Sequence, residues 1–416
     1  MIKIHRKYLV ISLIAALVII ILILTVIFGL KKSSKKSDLI NVGFYNIGAA
    51  QEKAFTELLT EISKSENQKI YFYTFNSETA IKDQIQKQHI NLILAADGYA
   101  LENSLPFVKN DVDIPYTFTS GMYSSMREAV VSSDGKIKAL PLLFDNLEID
   151  INISEFKMSD LDRIATWKDI EQLARKIHTE EYAPISFAGA DPVFLLDFIG
   201  AMGEALEGVD AYNKAAEILK KSVSNGVESD SFDAEELYNQ LFIVPDAPLP
   251  YTFYYLKQLV EKGLISKASR EFVQQDINSM ANYRKTDIFI TTLSAHRTFE
   301  GRALSAFSSI YVPSNRTPDQ RAFTATTTYA VPLVSNEKTS FIVEKLIAPE
   351  VQESLCRTTG LAPVLSNSRV PDKQSDDARY WIASTTKPLA GLGHESPFTS
   401  PQLNQLSSVI LDKLFF

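Results

Sequence analysis

The chain has 416 residues, 45% of them apolar and 22% charged, with a net charge of -8; this composition excludes wholesale disorder and fibrous or low-complexity character. One cysteine, Cys356, excludes an intramolecular disulfide framework and a cysteine-based zinc site, and five scattered histidines leave little for a histidine metal cluster. Seven basic residues and one acid fall in residues 1–38, so the remainder is a more acidic body, a poor partner for nucleic acid and long enough for two lobes.

The first element is Leu9–Leu30, 22 residues without a charge or a proline. At about 1.5 Å per residue such a helix spans a hydrocarbon core of about 30 Å. It exceeds the usual apolar stretch of a cleaved signal peptide, and lysines rather than small residues follow it. The reading is an uncleaved signal anchor followed by a polar linker at residues 31–38; the placement of residues 1–8 in the cytoplasm and of the body outside the cell is what the resemblance set out below implies. Both flanks are basic, so charge alone does not orient the helix.

The body begins with alternating strand-like and helix-like segments. Ile40–Tyr45 reads as a strand, and Gln51–Ser63 as a helix with Phe55, Leu58, Leu59 and Ile62 on one face. Lys69–Phe75 is a second strand, the segment around Ile81 and Ile85 a second helix, and Ile90–Ala95 a third strand closed by Asp97-Gly98. This β-α-β-α-β order predicts a parallel sheet covered by helices, with ligands at the carboxyl ends of its strands. Asn46, Gly48, Thr74, Asn76 and Asp97 fall at those ends. Ordinary turn chemistry explains the same residue types.

Farther along, Ile137–Phe144 and Leu147–Ile153 read as strands interrupted by Asp145-Asn146. Thr166 caps a helix over Trp167–Ile177, and Phe194–Met202 is a nearly all-apolar core helix. Helices are also expected over Ala211–Ser224, Tyr251–Lys262, Phe341–Leu346, Glu350–Cys356 and Pro401–Phe416. Strands are expected at Asp287–Thr291, Ile310–Val312 and Ala325–Val334. There is no nucleophile elbow, zinc-protease motif, P-loop or dinucleotide fingerprint. His178, His296 and His394 have no partner at metal-ligand spacing, Cys356 reads as an inert buried thiol, and no pair of acids stands out as glycosidase-like.

Three segments carry a resemblance. The first is Gly135-Lys136-Ile137-Lys138-Ala139-Leu140-Pro141, running into Leu142–Asn146. The second is Thr166-Trp167-Lys168-Asp169-Ile170, with Pro184-Ile185-Ser186-Phe187-Ala188-Gly189 behind it. The third is Tyr329-Ala330-Val331-Pro332, then Leu346–Leu355 and Thr359-Gly360-Leu361-Ala362-Pro363-Val364. Together they resemble the extracellular solute-binding proteins of ABC importers, the maltose-binding-like branch, in that family's order. Ile151-Asn152-Ile153 departs from the family pattern, and only two tryptophans are present for stacking a sugar.

The resemblance implies an α/β, two-lobed periplasmic-binding-protein-like fold of type II with crossing hinge strands. Residues 39–144 and 325–370 would form the first lobe, and 145–324 with 371–416 the second. The function implied is capture of a small polar solute, such as a sugar or oligosaccharide, for delivery to an ABC permease, without a cofactor or metal and without catalysis. An anchored sensor with the same fold is the alternative, and a cell-surface glycan hydrolase a more distant one. By matching motif, Asp145 and Asn146 fall at the hinge, where a strand break needing a cap is the structural alternative. Gly189, Asp191, Ser294 and His296 fall near second-lobe cleft loops. Thr326–Thr328 would offer hydroxyls, Thr328 among them, and Trp381 would face the cleft or simply pack.

Overall fold

The computed structural model describes residues 39–66, 68–76, 81–129, 135–224, 232–314, 322–385 and 387–416. The expected membrane anchor and linker lie outside these residues. Among the described residues, no helix is long and apolar enough to cross a membrane.

Among the described residues ten strands follow in chain order: β1 (Leu39–Tyr45), β2 (Lys69–Phe75), β3 (Leu92–Ala96), β4 (Leu140–Asn152), β5 (Ile185–Phe187), β6 (Ile288–Thr292), β7 (Phe307–Ile310), β8 (Ala322–Pro332), β9 (Ala362–Pro363) and β10 (Lys387–Leu389). The main path is β2-β1-β3-β8-β4-β6-β5. β1 pairs in parallel with β2 and β3, as the alternating pattern predicts, and helix Ala49–Ser65 lays Phe55 and Leu59 into the core beneath them. Such parallel strands are covered on both faces, which is why the successive residues Leu92, Ile93, Leu94 and Ala95 are all buried.

β4 is the element that divides the molecule. Its first half, Leu140–Asn146, runs antiparallel to β8; its second half, Leu147–Ile151, runs antiparallel to β6, with β7 on its other side. β8 behaves likewise, with Thr328–Pro332 against β3 and Ala322–Thr324 against β10. Two apolar cores result. One gathers Ile40–Phe144, Leu293 and Phe323–Ile382; the other gathers Leu147–Ala322 and Leu389–Phe415.

The strand break expected at Asp145-Asn146 is absent: β4 is continuous for 13 residues. The polar pair sits where the strand changes partners. Its backbone stays in register with Thr326 and Ala325, while its side chains find Ser294 and Glu148. The strand expected at Ile310–Val312 lies earlier, because Phe307 joins Phe289 and Phe299 in an aromatic cluster. The cap at Thr166 is as the sequence suggests: Thr166 and Asp169 form a reciprocal capping box, and Trp167 is buried 6.3 Å from the Phe198 ring.

Candidate functional site

A cavity of about 650 Å³ opens where β4 and β8 pass from one core to the other. Its walls come from both sides. Gly48–Gln51 follow β1 in the first core, and Asp191, Phe194 and Asp197 belong to the start of helix Pro192–Leu206 in the second. Asp145 and Asn146 of β4, Thr324 and Thr326 of β8, Thr292 at the end of β6 and Ser294 just after it complete the junction. Most of the lining side chains carry a hydroxyl, amide or carboxylate, set among apolar ones such as Val193, Phe194 and Leu361. Among the described residues, no lysine or arginine lines the cavity, and Phe194 is its one aromatic ring of the phenylalanine, tyrosine and tryptophan kind.

Asp145 is held from one side. Its carboxylate accepts the Ser294 amide at 3.0 Å, the Ser294 hydroxyl at 2.5 Å and the Asn146 amide at 3.0 Å. Burial pushes its pKa above the usual carboxylate range, and the bonds from Ser294 oppose that rise. Ser294 is placed by the four-residue helix Leu293–His296, whose N-cap Thr292 accepts the Ala295 amide. Arg297 fixes the same turn to the first core, donating to the Cys356 and Leu361 carbonyls and pairing with Asp372 at 2.6 Å.

At another wall Asp197 meets His394. One oxygen accepts the Gly393 amide at 2.7 Å, and the other lies 2.7 Å from His394 Nδ1. Burial works against a charged His394, but Asp197, with Asp97 and Asp145 beyond it, outweighs that and holds the pKa above the ordinary histidine value. The approach is possible because Gly391 stands at φ +96°; a Cβ there would collide with the Asp197 carboxylate. Asp97 lies behind this pair. Burial pushes its carboxyl up to about 7, against the hydrogen bond it accepts from Gly98. Lys220 closes the seam, pairing with Glu395 at 2.6 Å and with Glu102 of the first-core helix Tyr99–Ser104 at 2.8 Å.

Under the cavity floor, Glu148 and Asp150 of β4 face His296. Its Nδ1 is 2.8 Å from Glu148 Oε1 and 3.0 Å from Asp150 Oδ1. Ser309 of β7 donates to Glu148 at 3.0 Å, and all three charged side chains have no exposed surface. Burial, then Asp150, raises the Glu148 pKa; burial alone would lower that of His296, but the two carboxylates raise it.

No family model and no curated protein matches the chain. Solved structures do. The bacterial solute receptor AcbH, whose exclusive substrate preference is β-D-galactopyranose, superposes at a TM-score of 0.65 with 13% identity, covering 91% of this chain and 98% of its own. MsmE of Bacillus subtilis, a binding protein in an open conformation, gives 0.64 at 13% identity and covers 90% and 93%. A sugar transporter from Bacillus licheniformis in complex with stachyose gives 0.60 at 13% identity and covers 90% and 94%. The chain has the fold of the two-lobed solute receptors.

Within this receptor fold, the sequence-predicted residues divide into two groups. Gly48, Asp145, Asn146, Asp191 and Ser294 stand on the cavity wall. Asp191 also caps helix Pro192–Leu206 by accepting the Phe194 amide at 3.1 Å. Thr328 lies one step behind, donating to the wall residue Gln51 at 2.7 Å. The others are elsewhere. Asn46 turns the chain after β1 at φ +53°, and Thr74 is exposed and donates to Glu52; Asn76 follows β2 off the wall. Asp97 faces its own turn and His394, while Gly189 is pressed so close to Ser269 that a Cβ would come within 2.5 Å of its carbonyl. Trp381 packs on Tyr311 and Phe323 at 5.9 and 6.4 Å in the first core. His296, read from sequence as partnerless, belongs to the buried Glu148–Asp150 cluster; its partners lie 148 and 146 positions away, beyond any local motif.

Gln51, Glu148, Asp150, Asp197 and His394 are not among the sequence-predicted site residues. Asp197 had a signal, being the lone acid in the apolar stretch Pro192–Met202. Glu148 and Asp150 had another: alternate acids in Leu147–Ile151 put two carboxylates on one face of a strand that is otherwise apolar. Nothing local marks His394.

Proposed function

We propose that this chain is a membrane-anchored, extracytoplasmic solute-binding protein that captures a small neutral polar ligand between its lobes and delivers it to an ABC permease. A sugar or oligosaccharide is the ligand class. The observation that carries this reading is the cavity wall, built from both cores with hydroxyls, amides and carboxylates and, among the described residues, no basic side chain of lysine or arginine. Such a wall offers acceptors and donors to a polyol and repels an anion. Solute receptors of the same fold with galactopyranose and stachyose named as their ligands point the same way. Closure of the lobes derives its free energy from contacts made better in the closed form, so wall groups from both cores engage one ligand. The role is binding rather than turnover. The apolar run Leu9–Leu30 supports tethering, and export of an acidic body with a single cysteine is compatible with it.

Thermal-shift screening of the full chain in detergent, against neutral sugars, oligosaccharides, amino acids and sugar phosphates, tests the ligand class. A neutral saccharide raises the melting temperature by mass action. Stabilisation by sugar phosphates alone overturns it. Protease protection in intact cells tests the orientation: an extracytoplasmic body is digested from outside.

A further inference from the structure

The cluster under the cavity floor is sealed from solvent, whereas the cavity is open. The cluster has no exposed surface, and it holds two carboxylates for one imidazole. Among the described residues, His296 is the sole ion-pair partner of Glu148 and Asp150, so with both carboxylates ionised a charged imidazole would still leave one negative charge uncompensated. A second observation is independent of that count. Both carboxylate oxygens of Asp150 are inaccessible and receive no well-directed hydrogen bond, and His296 Nε2 is likewise unpartnered. An isolated buried charge is strongly disfavoured unless paired, hydrogen-bonded or bound to metal.

We propose that Glu148, Asp150 and His296 form a divalent transition-metal site, one ion per chain. One ligand atom from each residue lies within 4.8 Å of the other two, and His296 Nδ1 is 2.8 and 3.0 Å from its two oxygen neighbours. Donors bound at about 2.0–2.2 Å to one ion stand roughly 3.0–3.4 Å from each other, so a small outward movement admits the metal. A donor set of one imidazole and two carboxylates suits Zn²⁺ or Mn²⁺ rather than a soft monovalent ion. Two carboxylates and a neutral imidazole carry two negative charges, which one divalent ion cancels. The backbone explains the convergence. Alternation along β4 puts residues 148 and 150 on one face, and the turn Leu293–His296 brings the imidazole over them. Ser309, opposite Asp150 in the β4–β7 ladder, supplies a hydroxyl beside the same oxygen of Glu148. Asn146 donates from the cavity wall to the other Glu148 oxygen at 3.3 Å, so the ion would stiffen the floor on which a ligand rests. The site stands independently of the ligand proposed above.

The test is metal content. The full chain is expressed in medium supplemented with Zn²⁺ or Mn²⁺, purified in detergent without chelator and subjected to elemental analysis. About one ion per chain is expected, falling to background in Asp150→Asn and Glu148→Gln. Stripping the ion with chelator is expected to lower the melting temperature by roughly 5 °C, restored by the same ion and not by Mg²⁺. Less than about 0.1 ion per chain in the wild type overturns the site and leaves protons as the neutralising species. One ion per chain persisting in a Glu148→Gln, Asp150→Asn double variant overturns it equally. If the variants do not fold, the wild-type stoichiometry and the chelator melt decide.

Discussion

Ser294 gives both its amide and its hydroxyl to the single carboxylate of Asp145, at 3.0 and 2.5 Å, across the junction where β4 changes partners. The pair ties a turn that follows β6 to the middle of the crossing strand, and both residues stand on the cavity wall. Asp145→Asn turns one acceptor oxygen into a donor that faces donors. We expect at least tenfold weaker binding of the saccharide that stabilises the wild type, about 1.4 kcal/mol, by calorimetric titration. Ser294→Ala keeps the amide bond and loses less. An unaltered dissociation constant in Asp145→Asn would remove Asp145 from the ligand site.

Stability should fall as pH rises through neutrality. The folded chain binds the Asp97 proton more tightly than the unfolded one, with a pKa of about 7 against 3.8. The unfolded chain therefore holds fewer protons between those values, and the stability that Asp97 contributes is complete below about pH 4 and lost as pH rises through 7. His394, raised from 6.5, acts in the same sense: its contribution is present below 6.5 and lost as pH rises through its folded value. Melting temperatures between pH 5 and pH 8 should decline, and Asp97→Asn should flatten the slope. A variant with the wild-type slope would dismiss Asp97 as the source.

Two glycines with positive φ separate backbone strain from crowding. Gly135 stands at φ +78° with, among the described residues, nothing within 4 Å of where a Cβ would sit, whereas a Cβ on Gly391, at φ +96°, would collide with Asp197. Gly135→Ala should cost only the left-handed backbone term, about 1 kcal/mol. Gly391→Ala adds displacement of Asp197 and loss of its bond to His394, so its melting temperature should fall several degrees further and ligand binding should weaken. Equal melting temperatures for the two variants would show that the Asp197 wall relaxes freely.

Trp381 provides the contrast between packing and binding. Its ring packs on Tyr311 and Phe323 rather than facing the cavity. Trp381→Ala should lower stability by about 2 kcal/mol, less than a fully buried tryptophan would, and leave the dissociation constant for the saccharide unchanged. Calorimetric titration below the melting transition distinguishes this from a stacking role, in which affinity would drop tenfold or more.

The local elements are legible because their causes are local. Phe55 and Leu59 announce a helix by their spacing, Thr166 and Asp169 cap the next by reciprocal bonds, and Lys69–Phe75 reads as a strand from its aromatic and β-branched residues. The interruption at Asp145-Asn146 marks the right place for the wrong reason. Two polar residues in an apolar run look like a break, but β4 runs on through them where it changes partners, and their side chains are satisfied by Ser294 and Glu148.

The alternating α/β pattern, the caps and the apolar leader are written in the amino-acid order, because each depends on residues within a few positions of one another. Which polar groups meet is settled by packing in three dimensions. Asp197 reaches His394 across 197 positions, and Glu148 reaches His296 across 148. Chain folding brings such pairs together through the docking of distant elements, and no periodicity records that. The same packing withdraws Trp381 and His296 from the cavity, since burial in a core satisfies an aromatic ring or an imidazole as well as a ligand would.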